Sequence, residues 1–357
     1  MKTKRQGYFQ ASMKTLNEIA KKTKDYNLVA GYLVLARHCT SESIGGRPPF
    51  TFSGAGQNSI KDKVHVSEAR AAGVFDGLTK GGWVSAAANE MKALAPKAVR
   101  LEVLRGELDI NLPHAITDGV GDADSVLARI KKMEVRHSRK ELQSLTNDDI
   151  RLDALMLMLA IYANAQMELW GGVTPHFFHR KWLTHSKRKN NGSHQWMCEP
   201  ETQLVYTAKM NSAMQHTDAS PLNKERFWNA LGNLTDARLI YEAVTWATAD
   251  FEKFKDASAI CTIRVNDYHA DSGAKGAAPD PSLLKEIGDL GFYVNPINDR
   301  DEPEQMKVHM SSDEGLIVGI YRPRFRTINP DTGLWLERER DACAAHAALV
   351  LRQAKNQ

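Results

Sequence analysis

The sequence predicts an α+β protein in which two similar helical units are each followed by a short strand. Residues 60–84 change from helical periodicity to a strand pattern within one continuous stretch. The same succession recurs without a gap 156 residues later, since Asn223 stands where Ser67 stands in the first copy (223 − 67 = 156). Strand patterns stand at residues 260–265, 316–321 and 334–337. Helices and antiparallel strands are therefore expected to alternate in blocks along the chain.

Composition sets the broad class of the protein. With 357 residues, of which 42% are hydrophobic, the chain can bury the cores of two or three domains. A formal charge of +4 permits nucleic-acid binding without requiring it. Four scattered cysteines and the lack of a signal-peptide pattern predict a cytoplasmic protein. The most apolar run, residues 155–162, is too short to span a bilayer and predicts a buried helix.

The first of the two predicted helical repeats is expected to begin with a helix at residues 28–39. One face of this helix is formed by Leu28, Tyr32, Leu35 and Cys39. A loop rich in glycine, serine and proline follows, from Ser41 to Gly56. No Gly-Lys-Ser/Thr sequence completes this loop, so it does not predict a phosphate-binding site.

Residues 60–84 predict two short helices joined by a tight turn, followed by a strand. Ser67 is well placed to cap the second helix, because its hydroxyl can accept a hydrogen bond from a backbone N–H. Gly82 can end this helix because glycine adopts positive φ at little cost, and Trp83 opens the strand. The buried stripe of the second helix consists of Ala71, Val74, Phe75 and Leu78.

This pattern resembles the winged helix-turn-helix regulators of the GntR and MarR kind over about 25 residues. The resemblance implies that residues 67–80 form a recognition helix for the major groove of DNA. Residues 83–87 and 98–104 would form the wing, although a solvated charged hairpin explains them equally well. In this first unit the expected DNA-contacting residues are Lys61, Ser67, Glu68, Arg70, Gly73, Lys80 and Lys92.

A charged helical linker is expected between two domains. Residues 125–148 are rich in lysine and arginine and carry the composition of a solvated helix. The predicted first winged-helix domain is therefore 1–124, and the second, winged-helix-like domain is 149–357.

The second predicted helical repeat follows the pattern of the first except at the end of its helix. The gapless alignment places Leu234 on Leu78 and Leu239 on Trp83, but no Gly-Gly pair ends the helix, because Asp236-Ala-Arg238 stands there. Trp246 and residues 260–265 are candidates for the second wing. Two cations near the start of this helix, Lys224 and Arg226, are also expected to contact DNA.

Residues 176–198 form a basic insertion with interleaved aromatic residues, which favours contact with nucleic-acid phosphates. Its expected contacts are Arg180, Lys181, Lys187, Arg188 and Lys189. Zinc binding is an alternative because the segment also contains His176, His179, His185, His194 and Cys198, although their spacing matches no common zinc finger. A solvated loop is the third interpretation.

The C-terminal part predicts a β-hairpin and a closing helix. Strand patterns at residues 316–321 and 334–337 flank the turn signal Asn329-Pro-Asp-Thr-Gly333. An alanine-rich helix is expected at residues 342–352.

Two winged helices joined by a linker resemble the plan of plasmid replication initiators and tandem regulators of mobile elements. The resemblance implies sequence-specific binding of double-stranded DNA by a transcriptional regulator or origin-binding initiator of a plasmid or phage, with a homodimer as a further expected partner. The sequence carries no cofactor or catalytic motif, so we expect no cofactor and no enzymatic activity. A metal-dependent DNA-processing enzyme and a winged-helix protein-interaction module remain the alternatives.

Overall fold

A computed structural model describes residues 7–40, 52–86, 99–101, 109–121, 124–137, 140–168, 170–174, 177–188, 194–206, 213–214, 216–217, 223–247, 259–263, 293–295, 306–309 and 316–337. The fold is α+β, as predicted. Contacts divide the chain into two compact units. The first comprises Met1–Ala163, Met210–Ile240 and Pro323–Asn329, and the second comprises Asn164–Lys209, Tyr241–Arg322 and Pro330–Gln357. Residues 125–148, expected as a linker, lie inside the first unit.

The first unit begins with a two-stranded sheet and two helices. Strand β1 (Tyr8–Ala11) pairs antiparallel with β6 (Ile110–Pro113). Helices α1 (Met13–Thr23) and α2 (Tyr26–Arg37) follow β1. Helix α2 begins two residues before the expected position because the Asp25 carboxylate accepts a hydrogen bond from the backbone N–H of Asn27.

Two short helices and a tight turn occupy the positions predicted for them. Helix α3 (Gln57–Val64) is followed by α4 (Glu68–Lys80). The predicted cap is confirmed, since the Ser67 hydroxyl accepts a hydrogen bond from the backbone N–H of Arg70. The predicted stripe is buried at Ala71, Val74 and Leu78 and half-buried at Phe75.

A small antiparallel sheet follows α4 along the chain. It contains β2 (Cys39–Thr40), β3 (Phe52–Ser53), β4 (Val84–Ala86) and β5 (Val99–Leu101) in the order β2-β3-β5-β4. The expected pairing of the two strands after α4 is confirmed, because Val84 stands opposite Leu101. From α2 to β5 the elements therefore run helix, two short strands, two helices, two strands.

Helix α6 (Asn147–Ala163) forms the centre of the first unit. It is buried almost continuously from Ile150 to Tyr162 and packs against α1, α2, β6 and the preceding helix α5 (Val126–Lys132). Its first turn is closed by reciprocal hydrogen bonds between Thr146 and Asp149. Because α6 is apolar on all sides, it must be surrounded by other elements, and so it joins the N-terminal helices instead of starting a separate domain.

Helix α7 (Asn223–Asp236) ends in the same way as α4. Gly82 and Arg238 both adopt left-handed backbone conformations, with φ of 77° and 54°. The backbone N–H of Trp83 donates to the carbonyl of Leu78 at 3.1 Å, and that of Leu239 donates to the carbonyl of Leu234 at 2.9 Å. The two helix ends that the sequence alignment pairs therefore have the same backbone geometry. The predicted stripe is also buried, at Phe227, Ala230, Leu231 and Leu234.

The second unit contains a seven-stranded sheet with the order β12-β11-β15-β9-β10-β14-β13. Its strands are β9 (Phe178–Arg188), β10 (His194–Tyr206), β11 (Ile240–Ala247), β12 (Ala259–Ile263), β13 (Tyr293–Asn295), β14 (Met306–His309) and β15 (Leu316–Pro323). A separate pair is formed by β7 (Ala165–Gln166) and β8 (Gly172–Val173). The hairpin expected after α7 is present, since Trp246 stands opposite Cys261.

The prediction of a β-hairpin around Asn329-Pro-Asp-Thr-Gly333 is wrong, because residues 330–337 are helical. Proline is favoured in the first turn of a helix, where its missing N–H costs nothing and its fixed φ is already helical. Pro330 therefore begins a helix in this chain. Trp335 is buried beneath the Arg322 guanidinium, whose carbon lies 5.1 Å from the ring centroid. The expected closing helix, residues 342–352, lies outside the described residues.

No helix in the described ranges is long and apolar enough to cross a membrane.

Candidate nucleic-acid interface

Six of the residues predicted to contact DNA lie on α3 and α4 or in the turn between them, and all six are exposed. We call this surface of α3 and α4 the α4 face. Within the described ranges, and apart from the neighbouring backbone of α4 itself, nothing lies within 4 Å of the position that a Cβ on Gly73 would take, so the middle of α4 is open to a partner. The α4 face consists of Lys61, Ser67, Glu68, Arg70, Gly73 and Lys80.

A tight turn between α3 and α4 fixes the position of the N-terminus of α4. His65 ends α3 in a left-handed conformation (φ 55°), and the backbone N–H of Val66 donates to the Lys61 carbonyl at 3.2 Å. Helix α2 supports α4 from the opposite side. A Cβ added at Gly31 of α2 would lie 2.5 Å from Val74 Cγ1, so the two helices are in close contact there. This packing leaves the other side of α4 exposed.

Arg70 of the α4 face has a partner within the protein. Its Nη2 donates to Asp25 Oδ2 at 2.6 Å, and its side chain keeps 50% of its surface exposed. The second oxygen of Asp25 caps α2 by accepting from the backbone N–H of Asn27 at 2.8 Å. One carboxylate therefore joins the start of α2 to the start of α4.

Charges on the α4 face and beside it are nearly balanced. Lys61, Arg70 and Lys80 are accompanied on α3 and α4 by three exposed carboxylates, those of Asp62, Glu68 and Asp76. A surface with so small an excess of positive charge attracts phosphates weakly, so the α4 face is better suited to short-range contacts than to long-range attraction.

An ion cluster lies at the end of α2. Asp118 Oδ2 lies 2.9 Å from Arg37 Nη2, and Asp118 Oδ1 lies 3.0 Å from Lys63 Nζ. Burial raises the pKa of Asp118, but the Lys63 hydrogen bond and the charge of Arg37 outweigh it and leave the pKa below its usual value. Burial, followed by the charge of Arg37, lowers the pKa values of His38 and His114. Lys63 and Arg37 are thus engaged within the fold.

The second copy uses its equivalent arginine differently. Arg226 corresponds to Arg70 (226 − 70 = 156) and donates from Nε and Nη2 to the two oxygens of Asp153, at 2.8 and 2.6 Å. His216 Nε2 lies 2.8 Å from the same carboxylate, and the side chains of Asp153 and His216 are almost fully buried. Arg226 therefore holds α7 against α6, while Lys224 is exposed at the start of α7.

The predicted basic insertion forms part of the β9–β10 hairpin in the second unit. Arg180 is half-buried, and its Nε lies 3.3 Å from Glu242 Oε1. Burial raises the pKa of neighbouring Tyr321, to about 12. Lys181, Lys187 and Arg188 lie on β9, but their side chains are outside the described part. Lys92 and Lys189 lie entirely outside it, so these five contacts stay predictions.

The zinc alternative is also left as a prediction. In the part of the chain that the structure covers, no group of three or more His, Cys, Asp or Glu side chains could hold a metal ion. His176, one of the proposed ligands, is not among those residues.

Two carboxylates that bind the arginines at the start of α4 and α7 were not predicted from the sequence. Asp153 stands in the apolar run of α6, and a charged residue at such a position needs a buried partner, which is a usable signal. Asp25 precedes α2 as a helix cap, and nothing local indicates its contact with Arg70, 45 residues away. The partner of a carboxylate is a property of the fold and not of its neighbours in sequence.

Comparison with protein-family models, curated proteins and solved structures finds no match for this chain.

Proposed function

We propose that this protein binds double-stranded DNA through the α4 face and that α4 contacts base pairs in the major groove. The main support is the arrangement of α4, which buries one apolar stripe and leaves all six predicted contacts on α3 and α4 exposed. The succession of α2, β2, β3, α3, α4, β4 and β5 resembles the element order of a winged helix-turn-helix.

The dimensions of α4 suit this role. An α-helix fits within the major groove, which is about 12 Å wide. Recognition helices contact base edges mainly with their N-terminal residues, and Glu68 and Arg70 lie in the first turn of α4. Arg70 is the one long donor in this turn, and a guanidinium contacting guanine O6 and N7 is the commonest base-specific interaction. We therefore assign base recognition to Arg70.

A second winged helix is part of the proposal. Helix α7 repeats the end of α4 and is followed by the β11–β12 hairpin, as α4 is followed by β4 and β5. The tandem plan supports a regulator or an origin-binding initiator, as in the mobile elements that it resembles. Because Arg226 is bound to buried Asp153, we assign it a structural role and leave Lys224 as the exposed cation at the start of this copy.

The nearly balanced charge of α3 and α4 requires phosphate contacts elsewhere. The basic stretch of β9 is the best candidate, since its sequence contains Lys181, Lys187 and Arg188 together with the aromatic residues Phe178 and Trp182.

The proposal is tested by selecting bound duplexes from random DNA and measuring their affinity against salt concentration. We expect the affinity to fall on the order of a hundredfold or more between about 50 and 200 mM salt. Replacing Glu68 and Arg70 together by alanine should abolish the preference for the selected sequence. Lys132→Ala, which removes an exposed cation from α5, is the control and should preserve that preference. A flat salt response, or the same preference after the double substitution, would refute the proposal.

A further inference from the structure

We infer that Asp25 is a positioning residue that holds the Arg70 guanidinium for base recognition and thereby sets the sequence discrimination of α4. The inference rests on the DNA-binding function proposed above. It concerns a residue outside α3 and α4, at the start of α2.

Asp25 is itself held in place. Its Oδ1 accepts from the backbone N–H of Asn27 at 2.8 Å and from the Asn27 side-chain amide at 3.1 Å. Its own backbone N–H donates to the Thr23 hydroxyl at 3.3 Å. A carboxylate fixed at a helix cap offers Arg70 a stationary acceptor, and a long side chain otherwise loses considerable rotamer entropy when it binds a base.

The geometry leaves Arg70 able to bind DNA. Its described side-chain contact with Asp25 is made through Nη2, whereas a guanidinium carries five N–H donors. Half of the side-chain surface is exposed, so the remaining donors are accessible to a guanine edge, which needs two. The contact with Asp25 therefore orients the group without using up its donors.

The second copy shows the contrast at the equivalent position. Arg226 gives both Nε and Nη2 to Asp153, and its side chain is only 17% exposed. Arg226 of α7 thus donates to its carboxylate from two nitrogens, whereas Arg70, at the equivalent position of α4, donates to Asp25 from one. This difference assigns base recognition to α4 and a structural role to the arginine of α7.

Asp25 has a second effect, because its negative charge opposes phosphate binding near Arg70. Removing the carboxylate should therefore strengthen binding to a scrambled duplex, where only the charge matters, and weaken binding to the selected duplex, where Arg70 loses its orientation. A purely structural role for Asp25 would lower both affinities together. The opposite signs of the two changes distinguish the two roles.

The test uses the full chain with Asp25→Ser, because serine caps a helix as well as aspartate does and cannot reach Arg70 with a charge. Affinities are measured for the selected duplex and for a scrambled one. We expect the affinity for scrambled DNA to rise about twofold, and the ratio of selected to scrambled affinity to fall about fivefold to tenfold. Asp76→Asn, which removes an exposed carboxylate from α4, is the matched control and should leave the ratio unchanged.

Arg70→Ala and the Asp25→Ser/Arg70→Ala double variant complete a double-mutant cycle. If Asp25 acts through Arg70, the double variant loses no more of the ratio than Arg70→Ala alone. Additive losses, or an unchanged ratio in Asp25→Ser, would overturn the inference. Asp25→Asn, an equally good cap without the charge, replaces the serine variant if that variant does not fold. Failure of the unmodified chain to bind any duplex would instead refute the DNA-binding function itself.

Discussion

Replacing Asp153 by alanine should lower the free energy of unfolding by about 3–5 kcal/mol. The carboxylate is 2% exposed and accepts two hydrogen bonds from Arg226, at 2.6 and 2.8 Å, with His216 at 2.8 Å. Its removal leaves the Arg226 guanidinium without its buried counter-charge. Because Arg226 keeps 17% of its surface exposed, water can replace part of what is lost, and the lower end of this range is expected.

Urea unfolding followed by circular dichroism at neutral pH measures this loss. Asp148→Ala is the control on the same helix, since Asp148 is 51% exposed and pairs with Arg151 at 3.1 Å. An exposed pair contributes only about 0–1 kcal/mol, so the control should lose little. Equal losses in the two variants would show that the Asp153 cluster does not hold α6 to α7.

Three further predictions concern glycines and histidines. Gly82→Ala should lower the free energy of unfolding by about 1–2 kcal/mol, because Gly82 has φ of 77°. Gly73→Ala, in the middle of α4, should raise it by about 1 kcal/mol. Urea unfolding that gives both changes the same sign would contradict this. Gly31→Ala should cost about 1–3 kcal/mol through overpacking against α4, and a neutral effect in the same assay would contradict that close contact. The lowered pKa values of His38 and His114 mean that the folded state resists protonation of these two side chains. Their contribution to stability is therefore fully present above the pKa of histidine in the unfolded chain and is lost as the pH falls below that value. Thermal unfolding between pH 7 and 5 should therefore depend less on pH after both are replaced by glutamine, and an unchanged dependence would contradict this.

Local signals in the sequence were sufficient to predict α3, α4 and the turn between them. The Ser67 cap, the buried stripe of α4 and the positive φ of Gly82 each depend on residues within a few positions of one another. The repeat was predicted for the same reason, and Arg238 could take the left-handed conformation despite its side chain.

Non-local features could not be predicted in this way. The Asn329-Pro-Asp sequence suits both a turn and a helix start, and only the surrounding structure, including the buried position of Trp335, favours the helix. The order of the seven-stranded sheet depends on pairings such as that of Val318 with Lys181, which lie far apart in sequence. The contacts of Asp25 and Asp153 with the two arginines are of the same kind.

The central claim is that α4 contacts base pairs through Arg70, and the most direct measurement is a pair of affinities for each of two variants. Fluorescence anisotropy on the selected and scrambled duplexes compares Arg70→Ala with Lys61→Ala, an exposed cation of α3. We predict that Arg70→Ala costs about 1–3 kcal/mol on the selected duplex and much less on the scrambled one, while Lys61→Ala weakens both alike. Equal losses on both duplexes for Arg70→Ala would contradict the claim.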